Sequence, residues 1–414
     1  MSVIPGITVN QTISSPPVGD DETVVPVFVC YLPVLDDAAS PLVLLQNYEA
    51  LTTQIPEGDD GDFAVAYQSL KLYFDNGGGP CYVLSPGRVR DVNTLASLLG
   101  SADFWQPVLN HPDITLLTLP VMSLFRGDKA EETATRYAEV WNKVLHIMLA
   151  RRDIFCLIDA PRDLDAALAF STKFKTDTQN GETLNYAAVY WPHLLTDYTD
   201  KQGSYTVLPP ACAVAATMYK SDRDNGIWKA AANVELLHVI KPDVDMAHSQ
   251  GFDYPTAVPH VPTNYVLSLP GMGTRVWGCR TLQTDAGKGL LFVQQRRLLT
   301  FIEHNMRELA TFMLFEPNNA LTWFKYKGIA NDWLRELWYS GGLLGESEDQ
   351  AWEVKLGLNE SMTLDDLRHS RLVIDIKVKI LNPIEFIDIQ LRLSINQATP
   401  YDNAGPLTAN ASLS

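Results

Sequence analysis

Residues 154–161 read Ile154-Phe155-Cys156-Leu157-Ile158-Asp159-Ala160-Pro161, an unbroken apolar run that stops at an acid and a proline. A short run of this kind, bounded by turn formers, marks a strand buried on both faces. Its neighbours decide the fold. Residues 129–151 before it and 163–174 after it carry helical periodicity. Further out, Ile114–Leu119 and Tyr186–Trp191 read as strands, and 210–220 reads as another helix. Strand–helix alternation predicts an α/β layer built on a mostly parallel sheet.

Toward the N-terminus, Val24 to Tyr31 is a short β-branched strand. Residues 62–74 predict a helix with Phe63, Tyr67, Leu70 and Phe74 on one face. Asn76-Gly77-Gly78-Gly79-Pro80 stops it, and Cys81-Tyr82-Val83-Leu84 follows as a strand. The glycine cluster lacks the Lys-Ser/Thr of a phosphate loop and follows a helix instead of opening one, so it reads as a tight turn. Residues 1–23 are polar, with a weak alternation at Ile7, Val9 and Ile13 that Pro16-Pro17 and Asp20-Asp21-Glu22 break. Residues 1–25 are therefore read as an arm.

Toward the C-terminus, 240–262 has no clear period and reads as a linker or long loop between domains. Thr274–Gly278 is strand-like. A strand is expected near Leu290–Gln294, then helices over 295–314 and 320–340, the second capped by Gly341-Gly342. Two clean alternations close the chain. Leu372, Ile374, Ile376, Val378 and Ile380 alternate with polar residues, and so do Ile387, Ile389, Leu391, Leu393 and Ile395. Each is an amphipathic strand. Two strands alone are marginal in water and have open edges. Either the chain completes this sheet or something else does. Residues 396–414 read as a flexible polar tail.

The chain has 414 residues, with 49 acids against 32 Lys and Arg and a net charge of −17. The length suggests two or three domains. Without a clustered basic run, nucleic-acid binding is disfavoured. The acidity fits either colloidal solubility or a basic partner surface. The five cysteines, Cys30, Cys81, Cys156, Cys212 and Cys279, are far apart and mostly inside apolar runs. They read as buried small hydrophobes in a reducing cytosol, without metal or disulfide spacing. No secretory signal opens the chain, and no run approaches the ~20 apolar residues of a membrane span. Synthesis in the cytoplasm and no membrane insertion are expected.

Catalytic patterns are missing. The eight histidines form no His-Glu-x-x-His pair, and no Gly-x-Ser-x-Gly turn occurs. Gly271-Met272-Gly273 precedes a strand-like stretch and does not open a dinucleotide-binding helix. No catalytic residue, cofactor or metal is predicted. An α/β enzyme stays open as an alternative, because catalytic groups meet in space.

Several segments, in order, resemble the contractile tail sheath family of phage tails, R-type pyocins and extracellular contractile injection systems. Pro5-Gly6-Ile7-Thr8-Val9 is similar to its opening, and Tyr73-Phe74-Asp75-Asn76-Gly77-Gly78 to its helix stop. Asp222-Arg223-Asp224-Asn225-Gly226-Ile227-Trp228-Lys229-Ala230 resembles its Asp-Arg-x-x-Gly-Val-Trp-Lys-Ala block. Val276-Trp277-Gly278-Cys279-Arg280-Thr281-Leu282 resembles Val-Trp-Gly-Ala-Arg-Thr-Leu. Arg296-Arg297, Ile302-Glu303, Phe315-Glu316-Pro317-Asn318-Asn319 and Leu337-Trp338 with Gly341 resemble later elements. Asp285-Ala286-Gly287-Lys288 departs from the family's aromatic and Asn residues.

The resemblance implies a structural subunit, not an enzyme. It would polymerise as stacked rings around an inner tube and contract to drive the tube through a target envelope. The implied fold is α/β (α+β overall), with an outer α/β layer over 26–262 and an inner, tube-facing mixed domain over 263–395. Ile7–Ile13 and Ile387–Ile395 would be strands exchanged with neighbours onto a host that includes Leu372–Ile380. Asp332, Arg335, Glu336, Glu346, Glu348 and Asp349 are tube-contact candidates. Asp222, Arg223, Trp228, Lys229, Trp277, Arg280 and Glu316 would lock the domain junction through hydrogen bonds and ion pairs. The implied partners are further copies or paralogous sheath subunits, the tube, the baseplate and terminal cap proteins. The product would be a phage tail or a tail-like particle released from the cell. A type VI secretion sheath component is a second reading.

Overall fold

Glycine positions and apolar alternation account for most of the local structure. The computed structural model of the chain describes residues 23–32, 42–55, 61–87, 91–125, 127–177, 183–244, 261–285, 287, 289–311 and 313–384. In order these form β1 (Pro26–Val29), β2 (Leu42–Leu45), α1 (Tyr48–Gln54), α2 (Gly61–Asp75), β3 (Cys81–Leu84), α3 (Val92–Leu99), α4 (Ala102–Leu109) and β4 (Leu116–Thr118). Then come α5 (Ala130–Met148), β5 (Phe155–Asp159), α6 (Leu164–Asp177), β6 (Ala187–Trp191), β7 (Leu194–Thr199), β8 (Tyr205–Leu208), α7 (Ala211–Asn225), β9 (Val234–Glu235) and β10 (Val239–Pro242). The rest are β11 (Thr263–Leu269), β12 (Gly273–Trp277), α8 (Val293–Thr311), α9 (Ala320–Tyr339), α10 (Glu348–Ala351), β13 (Trp352–Lys355), α11 (Leu364–Arg368) and β14 (Asp375–Val378).

The largest sheet has the order β2-β3-β1-β4-β5-β6-β11-β12-β9, with parallel pairing from β3 through β11. Strands β1, β3, β4, β5 and β6 are buried at every position. The reason is the two-residue period: Val27, Cys156 and Ile158 face one core with α3–α6, while Phe28, Phe155 and Leu157 face another with α2 and α7. Gly77, at φ +84°, ends α2 with Gly78 N–H donating to Tyr73 O at 3.0 Å and Gly77 N–H to Phe74 O at 2.9 Å. That is the left-handed helix stop expected of the glycine cluster.

Three expectations need correction. The seam expected at 262/263 runs through the large sheet, because β11 pairs parallel with β6 and β12 pairs with β11. The expected strand at Leu290–Gln294 is absent; only Phe292 bridges to Arg280, and α8 begins at Val293. A short apolar run fits a buried helix start as well as a strand. The expected linker begins as β10, which joins β7 and β8 in a separate three-stranded sheet. Residues 245–260 lie outside the described ones.

A third core joins α8, α9, Trp352 of β13 and Ile227. There β13 pairs antiparallel with β14, from Trp352 opposite Val378 to Lys355 opposite Asp375. The compact unit runs to Asn382, and Pro383–Ser414 forms a separate one.

Candidate assembly interface

Arg297 in the first turn of α8 is the hub of the junction. Its guanidinium grips Asp222 near the end of α7 at 2.6 and 3.3 Å, and both side chains are buried, at 6% and 4% exposure. The same guanidinium donates to Thr23 O at 3.2 Å, and Thr23 Oγ1 donates to Asp222 at 2.7 Å. A forked donor on a carboxylate is the arrangement that makes burial of both charges tolerable. Two residues earlier, the Gln295 amide donates to Leu381 O at 3.1 Å and Asn382 Oδ1 at 2.5 Å. One helical turn thus holds both Thr23 and the Leu381–Asn382 segment.

Trp228 carries the second link. Gly226, at φ +92°, lies against its ring; a Cβ there would meet the ring at 2.3 Å. A Cβ at Gly342, beyond α9, would meet Leu337 at 2.7 Å and Trp228 at 3.0 Å. The glycines let the two helix ends close on the indole. Asn264 does the equivalent for the Trp277–Thr281 block: its side chain accepts from Arg280 N at 2.7 Å and donates to Arg280 O at 2.8 Å.

The junction residues therefore divide. Asp222 is a buried, paired charge as expected, and Trp228 is packed into the junction. Arg223, Lys229, Arg280 and Glu316, expected to lock the junction with Asp222, are exposed. Arg223 pairs with Asp224 at 3.3 Å, and the Arg280 guanidinium lies 5.6 Å over the Phe292 ring. Trp277 sits on β12 opposite Tyr265. Around Glu316 the motif is a cap: Asn319 accepts from Leu321 N at 3.0 Å and Thr322 N at 3.2 Å, and Asn318 accepts from Trp323 Nε1 at 2.7 Å. Sequence reasoning missed Thr23 and Gln295. It quoted Arg297 without its partner, although an Arg-Arg pair opening an amphipathic helix is a signal.

Residues 372–380 keep their alternation: Leu372, Ile374, Ile376, Val378 and Ile380 are half-buried against the third core, and the residues between them are exposed. Among the described residues this sheet has two strands only. Ile7, Val9, Ile13, Ile387, Ile389, Leu391, Leu393 and Ile395 lie outside the described residues.

On α9, Arg335 binds Asp332 at 2.6 Å and forks onto Glu348 at 2.6 and 3.1 Å, tying α9 to α10. Those hydrogen bonds hold the Glu348 carboxyl below its ordinary range. Asp332, Glu346 and Asp349 are exposed, and Glu336 is half-exposed. Near the α8–α9 turn, Leu314, Phe315, Leu321 and Phe324 are exposed, and Phe315 is fully so at φ +69°.

In the large sheet, Asp159 Oδ1 accepts from Ala211 N at 2.7 Å, while Oδ2 has no partner. Burial pushes this carboxyl up to about 8. The five cysteines are all free and buried, and burial pushes the thiols of Cys30, Cys81, Cys156 and Cys212 up. Among the described residues, no group of three or more His, Cys, Asp or Glu could hold a metal ion, and no helix is long and apolar enough to cross a membrane.

No protein-family model matches the sequence, and no curated protein matches it either. Solved structures do. A chain in the cryo-EM structure of the anti-feeding prophage baseplate in the contracted state is 30% identical, with 96% of this chain and all of that one covered and a TM-score of 0.81. A chain of the contracted anti-feeding prophage helical sheath is 25% identical over 95% of this chain and all of that one, TM-score 0.70. A chain of the contracted sheath complex of the PVC extracellular contractile injection system shares the fold at 23% identity, covering 96% and 99%, TM-score 0.72. With a 30% identical relative matched along its full length and the same fold recurring in contracted sheaths, the chain belongs to the contractile sheath family of injection systems and phage tails.

Proposed function

We propose that this chain is a structural sheath subunit that polymerises as stacked rings around an inner tube and contracts to drive the tube through a target envelope, without enzymatic turnover. The observation that carries this is the full-length likeness to a chain of a contracted injection-system assembly. The large sheet and its helices form the outer layer in this reading. The region from α8 to β14 forms the inner one, with the outer face of α9 from Leu321 and Phe324 to Asp332, together with Glu336, Glu346 and Asp349, toward the tube. The β13–β14 sheet is the host for exchanged strands: Ile7–Ile13 of one neighbour and Ile387–Ile395 of another add to it. Main-chain ladder bonds, each contributing about 0.5–1.5 kcal/mol net, make such a link strong without side-chain specificity. Contraction is then a rigid-body change between two packings of the same subunit. The particle is tail-like, and membership of the family supports reading cap proteins as partners and release from the cell as its fate.

Negative-stain microscopy of the purified protein tests this. Hollow cylinders or stacked rings are expected. A monomer or small closed oligomer with a robust turnover would replace the sheath reading by the enzyme one. Cylinders that form only with a second short chain would favour a type VI component.

A second position is favoured by one observation. The relative of higher identity, 30%, comes from a baseplate assembly, and the helical-sheath relative is 25% identical. We read this difference as favouring the ring next to the baseplate over the whole length of the sheath. Quantitative mass spectrometry of particles checks it: a copy number matching one ring supports the placement, and one matching the tube length rejects it.

A further inference from the structure

We infer that Asp159 is a proton-operated latch on the N-terminal end of α7: this end lifts from the large sheet only as the buried carboxyl gives its proton up to solvent. Asp159 closes β5, on the face that Phe155 and Leu157 share with α7. Its Oδ1 accepts from Ala211 N–H at 2.7 Å, and its Oδ2 has no partner. The residues just before Ala211 add no donor, because Pro209 and Pro210 have no N–H. Among the described residues no cation pairs with this carboxyl. Tyr190 lies opposite on β6 and Cys212 follows Ala211 on α7, and burial pushes that phenol and that thiol up. From β4, Thr118 faces the same core beside Leu157. His193 is held on Ala160 O at 3.1 Å, and Arg162 is bound to Asp243 at 2.6 Å. An anion held by one N–H in such a place is costly, so the closed structure favours the neutral acid.

The packing decides which side gives way. Strand β5 is paired with β4 on one side and β6 on the other. Helix α7 covers it, and from Ala211 to Ala216 its buried side chains are only alanine, cysteine and valine. Lifting them uncovers little apolar area per residue. The far end of α7 cannot follow, because Arg297 holds Asp222 at 2.6 Å, Thr23 donates to it at 2.7 Å, and Gly226 lies against the Trp228 ring. The helix therefore opens as a lever hinged at the junction. In the closed state burial keeps the proton on Asp159 up to about pH 8, whereas a hydrated carboxyl loses it near pH 4. Opening thus releases a proton between these values, and each pH unit in that window makes it about tenfold easier. Above pH 8 both states are ionised and the gain stops.

Two native cysteines read the latch directly. Cys212 lies under the end that lifts, and Cys156 faces the opposite core from β5; both are free and buried. The native full chain is pulse-labelled with N-ethylmaleimide between pH 6 and pH 9, and peptide mass spectrometry follows each cysteine. Each rate is divided by that of the same cysteine in the urea-unfolded chain, which removes the effect of thiol ionisation. The Cys212 ratio is expected to rise about tenfold per pH unit from pH 6 and to level off near pH 8, while the Cys156 ratio stays flat. In Asp159→Asn the Cys212 ratio is expected to lose that slope. A flat Cys212 ratio in the wild type overturns the inference, and so does an unchanged slope in Asp159→Asn. A Cys156 ratio that rises in step with Cys212 also overturns it, because the opening would then be global. Where circular dichroism shows the variant unfolded, the wild-type comparison of Cys212 with Cys156 decides alone.

Discussion

The nine-stranded sheet and the two-stranded sheet solve the same problem to different degrees. Strands β1, β3, β4, β5 and β6 are buried at every residue, with helices over both faces. In β14 the residues alternate between exposed and half-buried, and none is fully covered. The central strands of the first sheet are covered on both faces within the subunit. The second has its apolar face against α8 and α9 but lacks further strands among the described residues, and open edges of that kind invite pairing with another chain. With strand exchange as proposed, the subunit would separate a region whose stability is its own from one whose stability depends on neighbours.

The largest expected effect breaks the comparison at its unfinished side. Deleting residues 1–15, or ending the chain after Pro383, is expected to abolish cylinder formation and leave the melting temperature of the monomer nearly unchanged, read by sedimentation and circular dichroism. A truncated monomer that melts early would mean that the strand pairs at home and that the second sheet is complete after all. The next effect lies on the boundary between the regions. Arg297→Ala leaves Asp222 as a buried unpaired charge and is expected to cost about 3–5 kcal/mol in urea unfolding. Pairing it with Asp222→Leu should recover a large part of that loss, since the penalty belongs to the orphaned charge.

Asp159 tests the finished side. Its carboxyl is raised to about 8 by burial, against an unfolded value near 3.9. The unfolded chain thus releases its proton first, and this group's contribution to stability declines as pH rises from about 4 to about 8, then levels off. Asp159→Asn keeps the acceptor for Ala211 N–H and is expected to flatten that decline, with a gain of about 1–3 kcal/mol at pH 8 and little change near pH 4. Equal effects at both pH values would show that the site stays charged. The smallest effect is expected from Glu348→Gln, which removes one charge from the Arg335 fork. That ion pair is more than a third exposed on both sides, so solvent screening should leave the loss of stability barely measurable. A larger loss of cylinders than of monomer stability would tie this fork to assembly.

How far the sequence could be read follows from the range of the interactions. Helices α2, α5 and α7 and strands β3, β5 and β6 were legible, because periodicity and turn residues are local. The alternation of 372–380 was legible too, although β14 itself spans four of those residues and its partner β13 was not foreseen. Strands β7 and β8 and helices α3 and α4 were missed, even though Leu194, Thr196 and Tyr198 alternate with more exposed residues. The Asp222–Arg297 pair joins positions 75 residues apart. No local pattern encodes such a partner. For the same reason Glu316 and Lys229, expected to be paired, turned out exposed: a family block shows that a residue matters locally, not which way its side chain points.

Gln295 and Arg297 are two residues apart, about 3 Å along the helix axis. Through them the first turn of α8 grips Thr23 and the Leu381–Asn382 segment, which are far apart in sequence. If the terminal strands are exchanged as proposed, the subunit would be a link in a chain-mail: tension entering by one end would be handed to the other across less than one helical turn. The parallel sheet, with its long-range pairings, would then be left outside the shortest path of the load.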